Sequence, residues 1–159
     1  MLSQINLPIT LDQIKKARLE QEKFDLQKTY DKFKCDTNYI GLLGEMVFNE
    51  FLKTKAYDFK WLDFTKQGWD DPDFIINNKT VDLKTTFSDS MWIQQEKFDV
   101  YIYSQINKKE DVLSIKGWLT KENIKEAKEK HQCNIVRRND RVDYVFKQHH
   151  MRDINLIFR

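Results

Sequence analysis

The sequence predicts an α/β fold, with a central mixed β-sheet flanked by helices in a single domain. Three observations predict it. Helical and strand-like periodicities alternate along the chain instead of segregating into blocks. Apolar residues make up 40% of the 159 residues and aromatics 13%, enough for a real core. Only 4 Gly and 2 Pro occur, which excludes long flexible linkers and Gly-rich phosphate loops. The length fits one domain over 1–159, with 1–36 as an N-terminal helical extension and 130–159 as a basic C-terminal segment.

The elements follow in order. Residues 10–34 read as charged surface helix: Thr10 can N-cap, and Leu11, Ile14, Leu19, Phe24 and Leu26 form a broken apolar stripe. Residues 38–53 make a stronger helix. Ile40, Leu43, Val47 and Phe51 share one face, and Leu42, Met46, Phe48 and Leu52 make most of the rest apolar, so burial is expected. Glu45 is the anomaly there, on a stripe with Gly41, Phe48 and Leu52. A carboxylate so placed loses hydration unless a cation or donor answers it; the alternative is a position at the helix edge, reaching water.

A strand is expected within 57–64, ending at the loop Thr65-Lys66-Gln67-Gly68. Phe74–Ile76 and Thr80–Thr86 read as a hairpin turning at Asn77-Asn78-Lys79, because asparagine tolerates the left-handed conformation. Phe98–Gln105 alternates and is rich in aromatic and β-branched residues, and Val112–Trp118 is a further strand. Thr120 can cap a helix over TKENIKEAKEK, with Glu122 early and Lys128 and Lys130 late, as the helix dipole prefers. Val142–Phe146 closes the series. No internal repeat or low-complexity tract interrupts it.

The formal charge is only +2, but it is unevenly spread. Lys130, Arg137, Arg138, Arg141, Lys147, Arg152 and Arg159 face only Asp140, Asp143 and Asp153 in the last segment, giving it +4 and leaving −2 before it. Five of the six arginines lie there, and a guanidinium fork suits phosphate. A charge-rich solvated surface accounts for the same asymmetry. Cys35 and Cys133 form no CxxC pair, and His131-x-Cys133 is too little for zinc, so both are expected to be reduced thiols. With no leader-like or 18-residue apolar run, the expected location is the cytoplasm, that of the host cell if the chain is phage-encoded, with no membrane partner. His149-His150 reads as a surface pair. Trp61, Trp69, Trp92 and Trp118 read as core and edge packing, with base stacking as the alternative.

The informative stretch is Gly68-Trp69-Asp70-Asp71-Pro72-Asp73-Phe74 through Asp82-Leu83-Lys84-Thr85-Thr86. Along a strand, Val81, Leu83 and Thr85 point one way, and Asp82, Lys84 and Thr86 the other. Asp82 and Lys84 then lie about 6–7 Å apart at Cα. The hairpin returns Asp73 toward both. Two carboxylates suit a hard cation such as Mg²⁺, which acidifies bound water and offsets charge on phosphorus oxygens. A lysine beside them can orient or deprotonate the water, or stabilise the transition state by its charge. An ordinary hairpin with a cross-strand ion pair would use the same residues.

Glu45, Pro72-Asp73 and Asp82-Leu83-Lys84, in that order and spacing, resemble the PD-(D/E)xK nuclease superfamily, whose fold is restriction-endonuclease-like. Gly44-Glu45 after Gly41 is similar to the family's helix, and residues 114–120 resemble the stretch after the core strands in small phage and bacterial members. The resemblance covers roughly 38–120. It implies that Asp73 and Asp82 bind Mg²⁺ or Mn²⁺, that Lys84 assists the nucleophilic water, and that Glu45 is the helical acid. Asp71 remains an alternative ligand to Asp73. Thr85 and Thr86 follow the lysine as supporting hydrogen-bonders. Gln94-Gln95 lacks a tyrosine four positions after Gln94, so the QxxxY motif of one exonuclease branch is absent.

The function so implied is a metal-dependent endonuclease hydrolysing phosphodiester bonds in DNA, with Arg137, Arg138 and Arg141 holding the nucleic-acid backbone. Double-strand cutting by so small a domain calls for a homodimer. The alternatives are a catalytically silent nuclease-fold module that binds nucleic acid or protein, and an RNA nuclease with the same site.

Overall fold

The computed structural model describes residues 3–27, 39–62 and 71–157. Cys35, Trp69, Asp70, Arg159, the loop at 65–68 and the continuation of the first helix to 34 lie outside the described residues. In chain order the elements are β1 (Ile5–Pro8), α1 (Leu11–Gln27), α2 (Tyr39–Lys53), β2 (Phe59–Trp61), β3 (Phe74–Ile76), β4 (Lys79–Thr86), β5 (Ser90–Ile93), β6 (Val100–Ile106), β7 (Val112–Thr120), α3 (Lys121–Glu129), β8 (Asn134–Arg137) and β9 (Val142–Lys147).

The fold is mixed α/β. Its main sheet runs β1-β7-β6-β4-β3-β2. Only β4 and β6 pair in parallel; the other neighbours are antiparallel. Parallel neighbours need a crossover, and β5 lies within it. That strand leaves the main sheet to join a second, antiparallel sheet of order β5-β9-β8, which the sequence patterning did not predict.

The two faces of the main sheet serve different cores. Val81, Leu83 and Ile102 pack with Leu43, Val47, Phe48 and Leu52 of α2. Tyr101, Tyr103 and Leu119 pack with Met91, Ile93 and Phe146 of the small sheet and with Ile124 of α3. The odd–even alternation of β4 therefore turns Val81 and Leu83 to the helices, and Asp82 and Lys84 to the other side.

Local chemistry explains the ends of the elements. Thr10 Oγ1 accepts from Gln13 N–H at 3.2 Å, and Gln13 Oε1 accepts from Thr10 N–H at 2.9 Å, a reciprocal cap on α1. Thr120 caps α3 the same way with Asn123, both contacts at 3.1 Å. Asn77 and Asn78 have φ of 48° and 62°, as a two-residue hairpin turn of matching twist requires.

The apolar stripe of α1 differs from expectation. Leu11 and Leu19 are 74% and 57% exposed, while Ile14, Ala17 and Gln21 turn inward. The residues at i, i+3 and i+7 from Ile14 set the buried face, and two leucines off that face go to water. Helix α2 is buried nearly all round, as expected, because α1 covers the side turned away from the sheet. Among the described residues no helix is long and apolar enough to cross a membrane.

One glycine sets the distance between α2 and the sheet. A Cβ on Gly44 would lie 2.0 Å from Thr85 Oγ1 and 2.8 Å from Thr85 Cβ. Thr85 cannot easily yield, because its hydroxyl bonds Ser104 Oγ at 2.9 Å. Gly41, three residues earlier, has nothing within 4 Å of such a Cβ. Gly41→Ala is expected to stabilise the protein by up to about 1 kcal/mol through helix propensity. Gly44→Ala is expected to destabilise it by about 1–3 kcal/mol through overpacking. Urea unfolding of the two variants checks this, and equal shifts of the same sign refute the close approach.

Candidate functional site

The site begins where a strand stops. In the hairpin, β3 pairs with β4 only as far as Phe74↔Val81. Beyond that point β4 continues beside β6, and its other edge has no strand partner among the described residues. Asp73 fills the first place along this edge. Its N–H donates to Val81 O at 3.0 Å, and its Oδ2 accepts from Leu83 N–H at 2.8 Å. The side chain thus takes the acceptor role that another strand's carbonyl would have filled.

Asp73 sits at the sheet edge, so groups from both faces reach it. From the helical face comes Glu45, buried at 4% exposure. Its carboxyl lies within hydrogen-bonding reach of Asp73, and its Oε2 accepts from Trp61 Nε1–H at 2.9 Å. From the opposite face come Asp82 and Lys84, with Nζ 3.0 Å from Asp82 Oδ2. That oxygen is buried and makes no hydrogen bond of good angle among the described residues, the ion pair being a contact of proximity. Lys84 keeps 41% of its side chain exposed, so the cluster opens to solvent on its side.

Electrostatics follow from this crowding. Burial first, then the neighbouring Asp73 charge, push the Glu45 carboxyl well above the usual carboxylate range. Burial and the Asp82 charge push Asp73 from 3.8 to about 7. Holding a proton on one of the two carboxyls relieves the like-charge repulsion between them. Lys84 is partly desolvated, which works against its charge, but the Asp82 and Asp73 carboxylates outweigh that and raise its pKa. The lysine is therefore a firmly held cation.

The structure brings Glu45, Asp73, Asp82 and Lys84 together. Asp71 is exposed. Thr85 supports the site through Ser104, and Thr86 Oγ1 bonds Ser88 Oγ at 3.1 Å. Arg137 is exposed on β8. Arg138 and Arg141 both hold the buried Asp143 Oδ2 through Nε at 3.3 Å. Arg138 also lies over the Trp92 ring, 5.3 Å from its centroid. The His149 and His150 rings lie with centroids 4.0 Å apart at a tilt of 53°, and His150 Nδ1 accepts from Lys147 N–H at 3.0 Å. Cys133 is a half-buried free thiol whose burial pushes its pKa up.

Two contributors escaped the sequence. Trp61, read as packing, also donates to the buried Glu45. Tyr101 is the other: it pairs in register with Asp82 on the same face. Its hydroxyl accepts from Lys97 N–H at 2.6 Å and Phe98 N–H at 3.1 Å, and donates to Gln95 O at 2.8 Å. Strand alternation places Tyr101 beside Asp82 once the β4–β6 register is known, but nothing in the sequence announces that register.

Comparison with protein-family models, with curated proteins and with solved structures finds no match to this chain.

The raised Asp73 carboxyl has a consequence for stability. The folded chain retains a proton that the unfolded chain releases at 3.8, so stability declines as pH rises from there through about 7. Asp73→Asn removes this titration, while its amide oxygen can still accept from Leu83 N–H. In EDTA, urea unfolding between pH 5 and 8 is expected to show a falling stability for the native chain and a flatter profile for the variant. Identical slopes would contradict the buried-acid geometry.

Proposed function

We propose that this chain is a metal-dependent phosphodiesterase of restriction-endonuclease-like fold, acting on DNA as an endonuclease. The observation that supports it is the convergence of three carboxyl groups and one ammonium at the open edge of β4. Two buried acids, Glu45 and Asp82, and the half-buried Asp73 gather near one lysine, an arrangement whose desolvation cost can exceed its Coulombic return. Such a cluster is useful where a further cation completes it.

The donor set fits a hard divalent ion. All the donors are carboxylate oxygens, and Asp82 Oδ2 is buried without a well-directed hydrogen bond. Among the described residues no three metal-binding side chains stand as a closed ligand set. The reading therefore rests on two carboxylates, and Mg²⁺ or Mn²⁺, which keep several waters, need only one or two from the protein. Asp73 and Asp82 are the ligands in this reading, and the ion supplies Lewis acidity and a more acidic bound water.

The chain's own residues carry the rest. Lys84, beside Asp82, stabilises negative charge developing on the phosphate oxygens or assists the attacking water. Glu45 is the helical acid beside the site, held in place by the Trp61 donor. The Leu83 N–H fixes the Asp73 carboxylate at the strand edge.

The test mixes the protein with plasmid, linear and branched DNA, and with RNA, in Mg²⁺ or Mn²⁺. Cleavage is expected, falling about 10²–10⁴-fold in Lys84→Ala and in Asp82→Ala. Full activity in both variants, after repurification, would remove the assignment. A Mn²⁺-dependent rise in melting temperature, absent in Asp82→Ala, is expected alongside. Binding of nucleic acid with neither cleavage nor a metal shift supports the silent module instead.

A further inference from the structure

Away from the carboxylate cluster, charged side chains line a groove of about 1000 Å³ between α3, the 94–97 turn and the start of β9. Lys97, Lys121, Lys125, Lys128 and Arg141 border it, against only Glu96 and Asp140. Lys128 pairs with Glu96 and Arg141 with the buried Asp143, so both of these cations are answered, and Lys121 and Lys125 carry the positive excess on α3. No carboxylate of the described residues lies within ion-pair distance of Lys121 or Lys125.

The spacing on α3 is regular. Residues 121, 125 and 128 lie at i, i+4 and i+7, on one helix face. From Lys121 to Lys128 the helix rises about 10.5 Å. One strand of a double helix presents phosphates every ~3.4 Å of axis, so this row matches about three nucleotide steps. A single phosphate or small anion needs cations converging on one point; a row of spaced cations along an open groove suits a polymer of phosphates.

The groove is also tied to the candidate site. The Tyr101 hydroxyl braces residues 95–98, one wall of the groove, through three hydrogen bonds. Tyr101 stands on the strand next to Asp82 and points to the same side of the sheet. Adjacent strands lie about 4.8 Å apart. Tyr101 thus spans from the strand beside Asp82 to the groove wall.

We propose that this groove binds the phosphodiester backbone of nucleic acid, with Lys121 and Lys125 of α3 as its principal contacts. The proposal rests on the phosphodiesterase reading for the identity of the ligand. It moves the expected backbone contacts from the arginine hairpin toward α3: of Arg137, Arg138 and Arg141, only Arg141 borders the groove.

The experiment measures binding in EDTA, where no turnover is required. Fluorescence anisotropy with a labelled 20-nucleotide DNA, single-stranded and as duplex, gives the affinity and its salt dependence. Lys121→Ala/Lys125→Ala is expected to weaken binding at least tenfold at 50 mM salt. The slope of log K against log salt is expected to fall in magnitude by about 1–2, since each lost phosphate contact contributes ~0.7–0.9. Lys15→Ala/Lys16→Ala, on the exposed side of α1, is the control and is expected to bind as the native chain does. Unchanged affinity in the α3 variant overturns the proposal. So does absence of DNA binding by the native chain, or competition by poly-glutamate as effective as by unlabelled DNA. The two readings fail separately. Groove-dependent binding without cleavage under any metal leaves the groove and removes the phosphodiesterase. Cleavage that depends on Lys84 but is indifferent to Lys121 and Lys125 does the reverse.

Discussion

The contact on which the rest depends is the hydrogen bond from Leu83 N–H to Asp73 Oδ2, at 2.8 Å. Strand β3 begins only one residue after Asp73, so the edge of β4 beyond Val81 would otherwise present an unmet donor. A side chain meets it, and the sheet therefore opens at this point. Through that opening Glu45 on the helical face and Asp82 with Lys84 on the other face reach the same carboxylate. A longer β3 would cover the edge with backbone and keep the two faces apart.

The arrangement is costly to stability. Glu45 and Asp73 are both held above their ordinary pKa by burial, with the Asp73 charge adding to it at Glu45 and the Asp82 charge at Asp73, so neither ionises freely. An apolar pair of similar volume would pack as well without that penalty. The protein instead invests a tryptophan donor, a backbone N–H and a lysine in keeping acids where they are uncomfortable. Local violations of this kind concentrate where a fold serves something besides its own stability.

Much of this was legible before the structure. The hairpin at Asn77-Asn78 followed from two residues that accept positive φ. The alternation across Asp82-Leu83-Lys84 follows from strand geometry alone. Glu45 stood out because it broke an apolar helix. Less could be read where the cause lies far away in sequence. Gly44 is required by Thr85, forty-one residues later, and Trp61 finds its partner on a different element. The small sheet pairs β5 with β9 across about fifty residues, and its strands are only 4 to 6 residues long. On α1, exposed leucines outweighed a buried alanine in the pattern, because hydrophobicity marks the inward face poorly when a small residue makes the contact.

The pairing of β1 bears on how the chain assembles. Ile5 lies opposite Ile115 and Pro8 opposite Val112. Emerging from the ribosome at about 5–20 residues per second, the first strand waits on the order of ten seconds for its partner. It spends that interval as an unpaired edge, the form most prone to join a neighbouring chain. Its make-up limits the hazard. It is four residues long, alternates half-buried with exposed positions, and ends in a proline that has no N–H to offer. The segment is thus a poor template for strangers while β7, the strand that receives it, is still to be made.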